Sequence, residues 1–287
     1  MDSLLQTLIV SITFFLMLIV GLELQLQQLI QQSRQLLAVG GGILAQVLLL
    51  PALTLFIIQL TSPPLELSIG MLLVSLCPGG SVSNYYTLLA RGDIAYSVTL
   101  TTLTTLSCFI TLPLLFNLLS ADFISAPVPI QLPFWETIWQ LFSLLIAPVL
   151  LGILIRKLYY SLTLRLLPVA KLTGAIGLLF VVAAIFISKG DYLSDYFAVI
   201  AQTSLLFTLG ALGSGLLAGY LLRLQPAQII AIGIEFPARN LAIATSISLT
   251  LLELSNAILF AAAMFVLQLP VFILVILSSL GLKRRSL

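Results

Sequence analysis

The sequence predicts an all-α polytopic membrane protein, and three observations carry that prediction. Of its 287 residues, 60% are hydrophobic and only 8% are charged, where a soluble domain carries roughly 25% charged residues. The mean hydropathy is +1.20, and apolar stretches of ~20 residues, long enough to cross a bilayer, recur along the chain. Two of those stretches are broken at matching depths. One break reads Cys77-Pro78-Gly79-Gly80-Ser81-Val82-Ser83-Asn84, and the other reads Glu235-Phe236-Pro237-Ala238-Arg239-Asn240.

Nine spans follow, at about 3–22, 36–60, 66–90, 94–119, 134–155, 167–188, 198–222, 227–252 and 257–282, forming one transmembrane domain over residues 1–287. The first opens on Met1-Asp2-Ser3 with no basic segment and no small-residue cleavage site, so it reads as a transmembrane helix rather than a signal peptide. Between it and the second span, Gln25 to Ser33 is expected to form a short interfacial helix. The second span carries Gln46 at mid-depth, ahead of Pro51. The third contains the first break. The fourth repeats Ser97, Thr101, Thr104 or Thr105, and Cys108 at helical spacing, which makes a polar stripe on an apolar helix. The fifth begins with Trp135 and Trp139, aromatics suited to a membrane interface. The sixth, seventh and ninth are plain apolar runs; Gln140, Gln202 and Gln268, in the fifth, seventh and ninth spans, carry no sharp reading. The eighth contains the second break.

Charge fixes the expected orientation. With nine spans, one side holds Arg34, Arg91, Arg156, Lys157, Arg165, Lys171, Arg223, Lys283, Arg284 and Arg285. The other holds Lys189 and the acidic Glu66, Asp122, Asp191, Asp195 and Glu253. The excess of Lys and Arg marks the cytoplasmic side. The N-terminus is therefore expected outside and the C-terminus in the cytoplasm, in a plasma (inner) membrane. The basic residues are scattered rather than patched, so lipid, not nucleic acid, is the expected surrounding. There is no His, which excludes a His proton relay, a His metal site and a haem His ligand. Cys77 and Cys108 lie in apolar stretches, which argues against a disulfide framework. No Cys/His cluster or nucleophile–base pair is visible, so no enzyme is expected.

The chemistry concentrates at the two breaks. Pro78 cannot donate a backbone hydrogen bond and clashes with the preceding turn. Gly79 and Gly80 free the backbone further. Ser81 is a candidate N-cap for the helix that resumes, with Ser83 and Asn84 in its first turn, beside the positive end of the helix dipole. An ordinary kink is the plain alternative. The stripe on the fourth span reads equally as interhelical glue or as ligands. In the second break, Glu235 and Arg239 lie at membrane depth, where an isolated charge costs at least ~2.5–3.5 kcal/mol. They read either as an ion pair or as a cation site built on Glu235 and carbonyls that Pro237 leaves free. Gln46 reads as helix-packing glue. Breaks at the midplane, in corresponding and oppositely running spans of two halves, mark the binding site of an inverted-repeat secondary transporter. A channel would not need two broken helices crossing, and no soluble sensory domain of a receptor is visible.

At these residues the chain resembles the bile acid:sodium symporter family. The likeness rests on Cys77 to Tyr85, on Leu89-Ala90-Arg91-Gly92-Asp93-Ile94-Ala95-Tyr96-Ser97, on Gln46 with Pro51, and on Ile234 to Asn240. It implies a nine-span member with two crossed discontinuous helices, a core domain and a panel domain. It implies a sodium ion held by Ser83, Asn84, Ser97, Thr101 and Glu235. A second sodium site would use Gln46, Glu235, backbone carbonyls and the residue four after the Glu. That residue is Arg239 here, where the family has Gln, and Pro237 stands where Gly is common. Arg239 is thus expected to reach Glu235, to occupy the second ion's space near Gln46, or to bind a substrate carboxylate. The implied function is sodium-coupled symport of a small organic anion, such as a bile acid, a pyruvate- or pantoate-like carboxylate or a sulfonate. A sodium-independent anion carrier of the same fold, with Arg239 replacing one sodium, is the alternative within the family.

Overall fold

The computed structural model describes residues 2–24, 35–80, 82–123 and 130–284. The expected interfacial helix at Gln25 to Ser33 and the expected cap at Ser81 lie outside these. Among the described residues the regular structure is helical, apart from one isolated β-bridge. The helices are α1 (Asp2–Glu23), α2 (Leu36–Thr61), α3 (Leu65–Leu76), α4 (Val82–Leu89), α5 (Ile94–Phe123), α6 (Phe134–Leu141), α7 (Ala147–Leu158), α8 (Tyr160–Ser188), α9 (Gly190–Leu221), α10 (Pro226–Glu235), α11 (Leu241–Thr250) and α12 (Ile258–Arg284). A single π-helical turn, Phe142–Ile146, joins α6 to α7 into one continuous stretch.

Among the described residues, seven helical stretches are long and apolar enough to cross a membrane, and the protein is an all-α, multi-pass membrane protein. The expected third and eighth spans are each two short helices, α3 with α4 and α10 with α11, and none of the four exceeds 12 residues. Pro78 and Pro237 each remove a helical hydrogen bond at these points, but proline does not suffice, since α2, α5, α8 and α12 continue through Pro51, Pro113, Pro168 and Pro270. The bonds exchanged between the two breaks hold them open. Elsewhere the helices outrun the expectation. Residues 160–166 are already helical in α8, and 190–196 belong to α9, which kinks at Tyr196 (φ −116°, ψ 16°).

The helices pack in two groups. In one, α1 lies against α7 and α8. In the other, α9 packs on α2, α10 and α12, while α3 packs on α2, α5 and α12. Contacts of α1 with α11, α5 with α6, and α8 with α12 join the groups. The surface is inverted relative to a soluble protein. On α5, Ser97, Thr101, Thr104, Thr105 and Cys108 are buried, whereas Leu106, Ile110, Leu114 and Leu118 are exposed. In lipid, apolar side chains gain nothing by facing inward, so hydroxyls take the interior.

Small residues set the closest helix approach, as expected where packing replaces the hydrophobic effect. A Cβ on Gly152 of α7 would overlap the Leu18 carbonyl of α1, and one on Gly21 would overlap the Val149 carbonyl. Arg156 Nη1 donates to the Leu22 and Glu23 carbonyls at 2.6 and 2.9 Å, and Lys171 pairs with Glu23. Both cations sit at the negative end of α1, where they complement its dipole.

Gly152→Val should therefore push α7 from α1 and lower the thermal unfolding temperature in detergent, by overpacking worth ~1–3 kcal/mol. Gly213→Ala on α9, which has open space around it, should be neutral or stabilising, since Gly in a helix interior costs up to ~1 kcal/mol relative to Ala. Equal effects of the two would contradict the packing.

Candidate functional site

The two breaks lie against each other and satisfy each other's backbone. α3 ends at Leu76, and Cys77 turns extended (ψ 153°). α10 ends at Glu235, and Pro237 denies Gly233 its helical donor. Gly80 N then donates to the Ala238 carbonyl at 2.7 Å, and Asn240 N donates to the Pro78 carbonyl at 2.8 Å. Gly79 and Arg239 form the antiparallel bridge between them. At membrane depth no water is available to these groups, so backbone left by one broken helix must be met by protein. Asn240 also caps α11, its Oδ1 accepting from Ile243 N at 3.3 Å.

Glu235 is fully buried beside this crossing. Its carboxylate accepts from Thr101 Oγ1 at 2.6 Å and lies 3.1 Å from Ser97 Oγ. Ser97 Oγ is also 2.9 Å from Asn84 Oδ1, so its single proton serves one of two acceptors. Ser83 Oγ donates to the Gly80 carbonyl at 2.8 Å and lies 3.5 Å from Thr101 Oγ1. Ser83, Asn84, Ser97, Thr101 and Glu235 thus meet in one oxygen-lined cluster drawn from α4, α5 and the end of α10. Gly79 forms its wall, because a Cβ there would overlap Glu235 Oε1. Hydroxyl, amide and carboxylate oxygens without nitrogen or sulfur donors suit a hard cation.

Arg239 does not join this cluster. No Glu235–Arg239 ion pair forms; among the described residues the salt bridge is Lys171–Glu23. Side chains four residues apart meet readily on a helix, and Pro237 breaks the helix between these two, so of the expected placements the one near Gln46 is found. Arg239 Nη1 donates to Gln46 Oε1 at 2.6 Å, and Nη2 donates to the Cys77 carbonyl. The end of α3 leaves that carbonyl without a helical partner, and the guanidinium fork takes it. Gln46 is therefore a partner of Arg239, on the face of the bridge away from the carboxylate cluster.

Two contributors were not singled out from sequence. Thr87 is buried and its hydroxyl lies 3.4 Å from Ser97 Oγ; its place four residues after Ser83, on the same helix face, was the available signal. Gln140 reaches from α6 to Ser246, 3.3 Å away, and to Thr250 on α11. That contact depends on tertiary packing and has no local signature. Asn240 Nδ2 similarly lies 3.6 Å from Met17 Sδ on α1.

Comparison with known proteins identifies the family. The model of the sodium bile acid symporter family matches residues 10–196. The chain belongs to the sodium bile acid symporter family. A rice protein named "Probable sodium/metabolite cotransporter BASS2, chloroplastic" is 33% identical over 162 residues, 56% of this chain and 37% of its own. The "Uncharacterized sodium-dependent transporter YocS" of Bacillus subtilis is 27% identical over 233 residues, 80% of this chain and 67% of its own. The bovine "Sodium-dependent organic anion transporter" is 28% identical over 244 residues, 84% of this chain and 62% of its own. The matches thus span from about a third to two thirds of these relatives' lengths. The family and these relatives carry the names of transporters, not enzymes.

The wall formed by Gly79 can be tested apart from any ligand. Gly79→Ala should displace the Glu235 carboxylate from Thr101 and lower thermal stability by ~1–3 kcal/mol. At Gly80 an added Cβ would meet the Arg239 carbonyl at 3.1 Å, so Gly80→Ala should cost less. A Gly79→Ala protein as stable as wild type would contradict the placement of the carboxylate.

Proposed function

We propose that this symporter-family chain is a secondary active transporter that couples sodium to the movement of a small organic anion, with sodium held by Ser83, Asn84, Ser97, Thr101 and Glu235. The observation that carries this reading is a fully buried carboxylate with no cationic side chain within ion-pair distance. Burying a carboxylate out of contact with a cation is costly, and a sodium ion among the four neighbouring oxygen ligands supplies that contact. Sodium also bridges residues after the first break, on α5 and at the second break. Its binding therefore favours the arrangement in which they converge, and a ligand shifts an equilibrium through such differential affinity.

The antiparallel bridge between the breaks supports an inverted repeat, with each broken pair counted as one span to reach nine. The two packing groups correspond to a panel (α1 and α6 to α8) and a core (α2 to α5 and α9 to α12), within one transporter domain. The positive-inside rule puts the C-terminus in the cytoplasm and the N-terminus outside, in a plasma (inner) membrane. Arg239 favours a single sodium ion. It holds Gln46 and the Cys77 carbonyl, the oxygens a second cation would need, and a fixed guanidinium repels one. The names of the sodium-dependent relatives agree with the coupling ion, and that of the organic anion transporter agrees with the substrate class.

Purified protein in proteoliposomes should take up labelled members of a panel of organic anions faster with an inward sodium gradient than without. Counter-flow of labelled substrate should appear, as expected of a carrier and not of a channel. Glu235→Gln, which keeps the shape and removes the charge, should cut the sodium stimulation by more than about tenfold, since weakening even indirect support of a metal ligand costs 10–100-fold. Undiminished sodium-stimulated uptake by that variant would overturn the site.

A further inference from the structure

Two buried donors without partners belong to residues that line one cleft beside the crossing. Arg239 and Gln46 are 6% and 1% exposed. Arg239 Nη1 and Nη2 have partners, but its Nε has none. Gln46 Oε1 is held by the guanidinium, which fixes the amide orientation and leaves Nε2 pointing elsewhere; it too has no partner. Both residues line a narrow cleft between α2, the end of α3 and α5. Its other polar walls are Ser75, Thr104, Ser107 and Thr111, whose hydroxyls all donate to backbone carbonyls. No acidic side chain lines it. A buried cation with no carboxylate in hydrogen-bond contact among the described residues, beside two unused N–H groups, has room for an acceptor carrying negative charge.

We propose that this cleft is an anion subsite, in which Arg239 Nε and Gln46 Nε2 bind a monovalent anionic group, the carboxylate of the transported substrate. Its link to sodium rests on the reading of the Glu235 cluster above. With Glu235 ionised and Arg239 protonated, the empty crossing is neutral. Sodium alone leaves it with one positive charge, and the anion alone leaves it with one negative charge. Both together restore neutrality. Each half-loaded form carries an uncompensated charge at membrane depth, which is unfavourable. Sodium and the anion therefore stabilise each other's binding through Arg239 without touching, and the loaded crossing holds one of each.

Thermal unfolding of the purified full chain in detergent tests the site directly, because a ligand that binds the folded state raises its melting temperature. Acetate and chloride serve as probes, titrated at constant ionic strength against glucamine sulfate, with and without sodium. Acetate should give a saturable upward shift in wild type. Sodium should lower the acetate concentration for half the shift by at least about fivefold, the low end of usual coupling between sites. Arg239→Gln should lose the acetate response and retain the sodium response. Gln46→Glu places a carboxylate on the guanidinium from within; it should fold and also lose the acetate response. Chloride giving the same Arg239-dependent shift as acetate supports the anion subsite and assigns it to an inorganic ion. No saturable anion shift in wild type overturns the proposal, as does an undiminished shift in both variants. An acetate shift that depends on Arg239 in a protein with no sodium response supports the subsite and overturns the sodium reading and the coupling.

Discussion

Everything at the centre of this protein depends on two backbone hydrogen bonds between broken helices. Pro78 and Pro237 end helices in a region without water, where unpaired backbone groups cost several kcal/mol each. Gly80 N on the Ala238 carbonyl and Asn240 N on the Pro78 carbonyl meet that demand. Because each break supplies what the other lacks, neither can straighten or slide alone. The bridge at Gly79 and Arg239 fixes the register, and the register decides where the charges go.

The result is a separation of opposite charges that a continuous helix would have paired. Glu235 closes α10 on one face, against Thr101 and Ser97. Arg239, in the extended bridge, turns to the other face, against Gln46 and the Cys77 carbonyl. In the proposed reading each charge keeps an unfilled capacity, one for a cation and one for an anion. A salt bridge between them would have quenched both. The cluster is also shared among elements: α4 and α5 supply neutral ligands, while α10 supplies the charge. That sharing lets occupancy of the site influence how the helices sit relative to one another.

Much of this was legible in the chain, for local reasons. Pro-Gly-Gly with Ser and Asn, and Phe-Pro between Glu235 and Arg239, announce the breaks; proline alone does not, since α2, α5, α8 and α12 run on through Pro51, Pro113, Pro168 and Pro270. The stripe of Ser97, Thr101, Thr104 and Cys108 shows at helical period, and a period survives into the fold. Ser83, Asn84 and Glu235 stood out as polar groups at the breaks. Of the placements open to Arg239, pairing with Glu235 is not found and contact with Gln46 is, because Pro237 breaks the helix that would have brought the two charges together. The nine-span count takes each broken pair as one span. The bridge itself, the Arg239–Gln46 bond across 193 positions and the Gln140 contact with α11 depend on tertiary placement, and single-sequence patterns do not encode it. The early starts of α8 and α9 were missed because their first turns are polar or aromatic rather than apolar.

The central claim is that Glu235 anchors one cation site at the crossing. Equilibrium binding of radioactive sodium to the purified chain tests it most directly, without a substrate or a membrane gradient. The account predicts one saturable site per chain, absent in Glu235→Gln and retained when the distant acidic residue Asp191 is changed to Asn. Saturable binding that survives Glu235→Gln would contradict it.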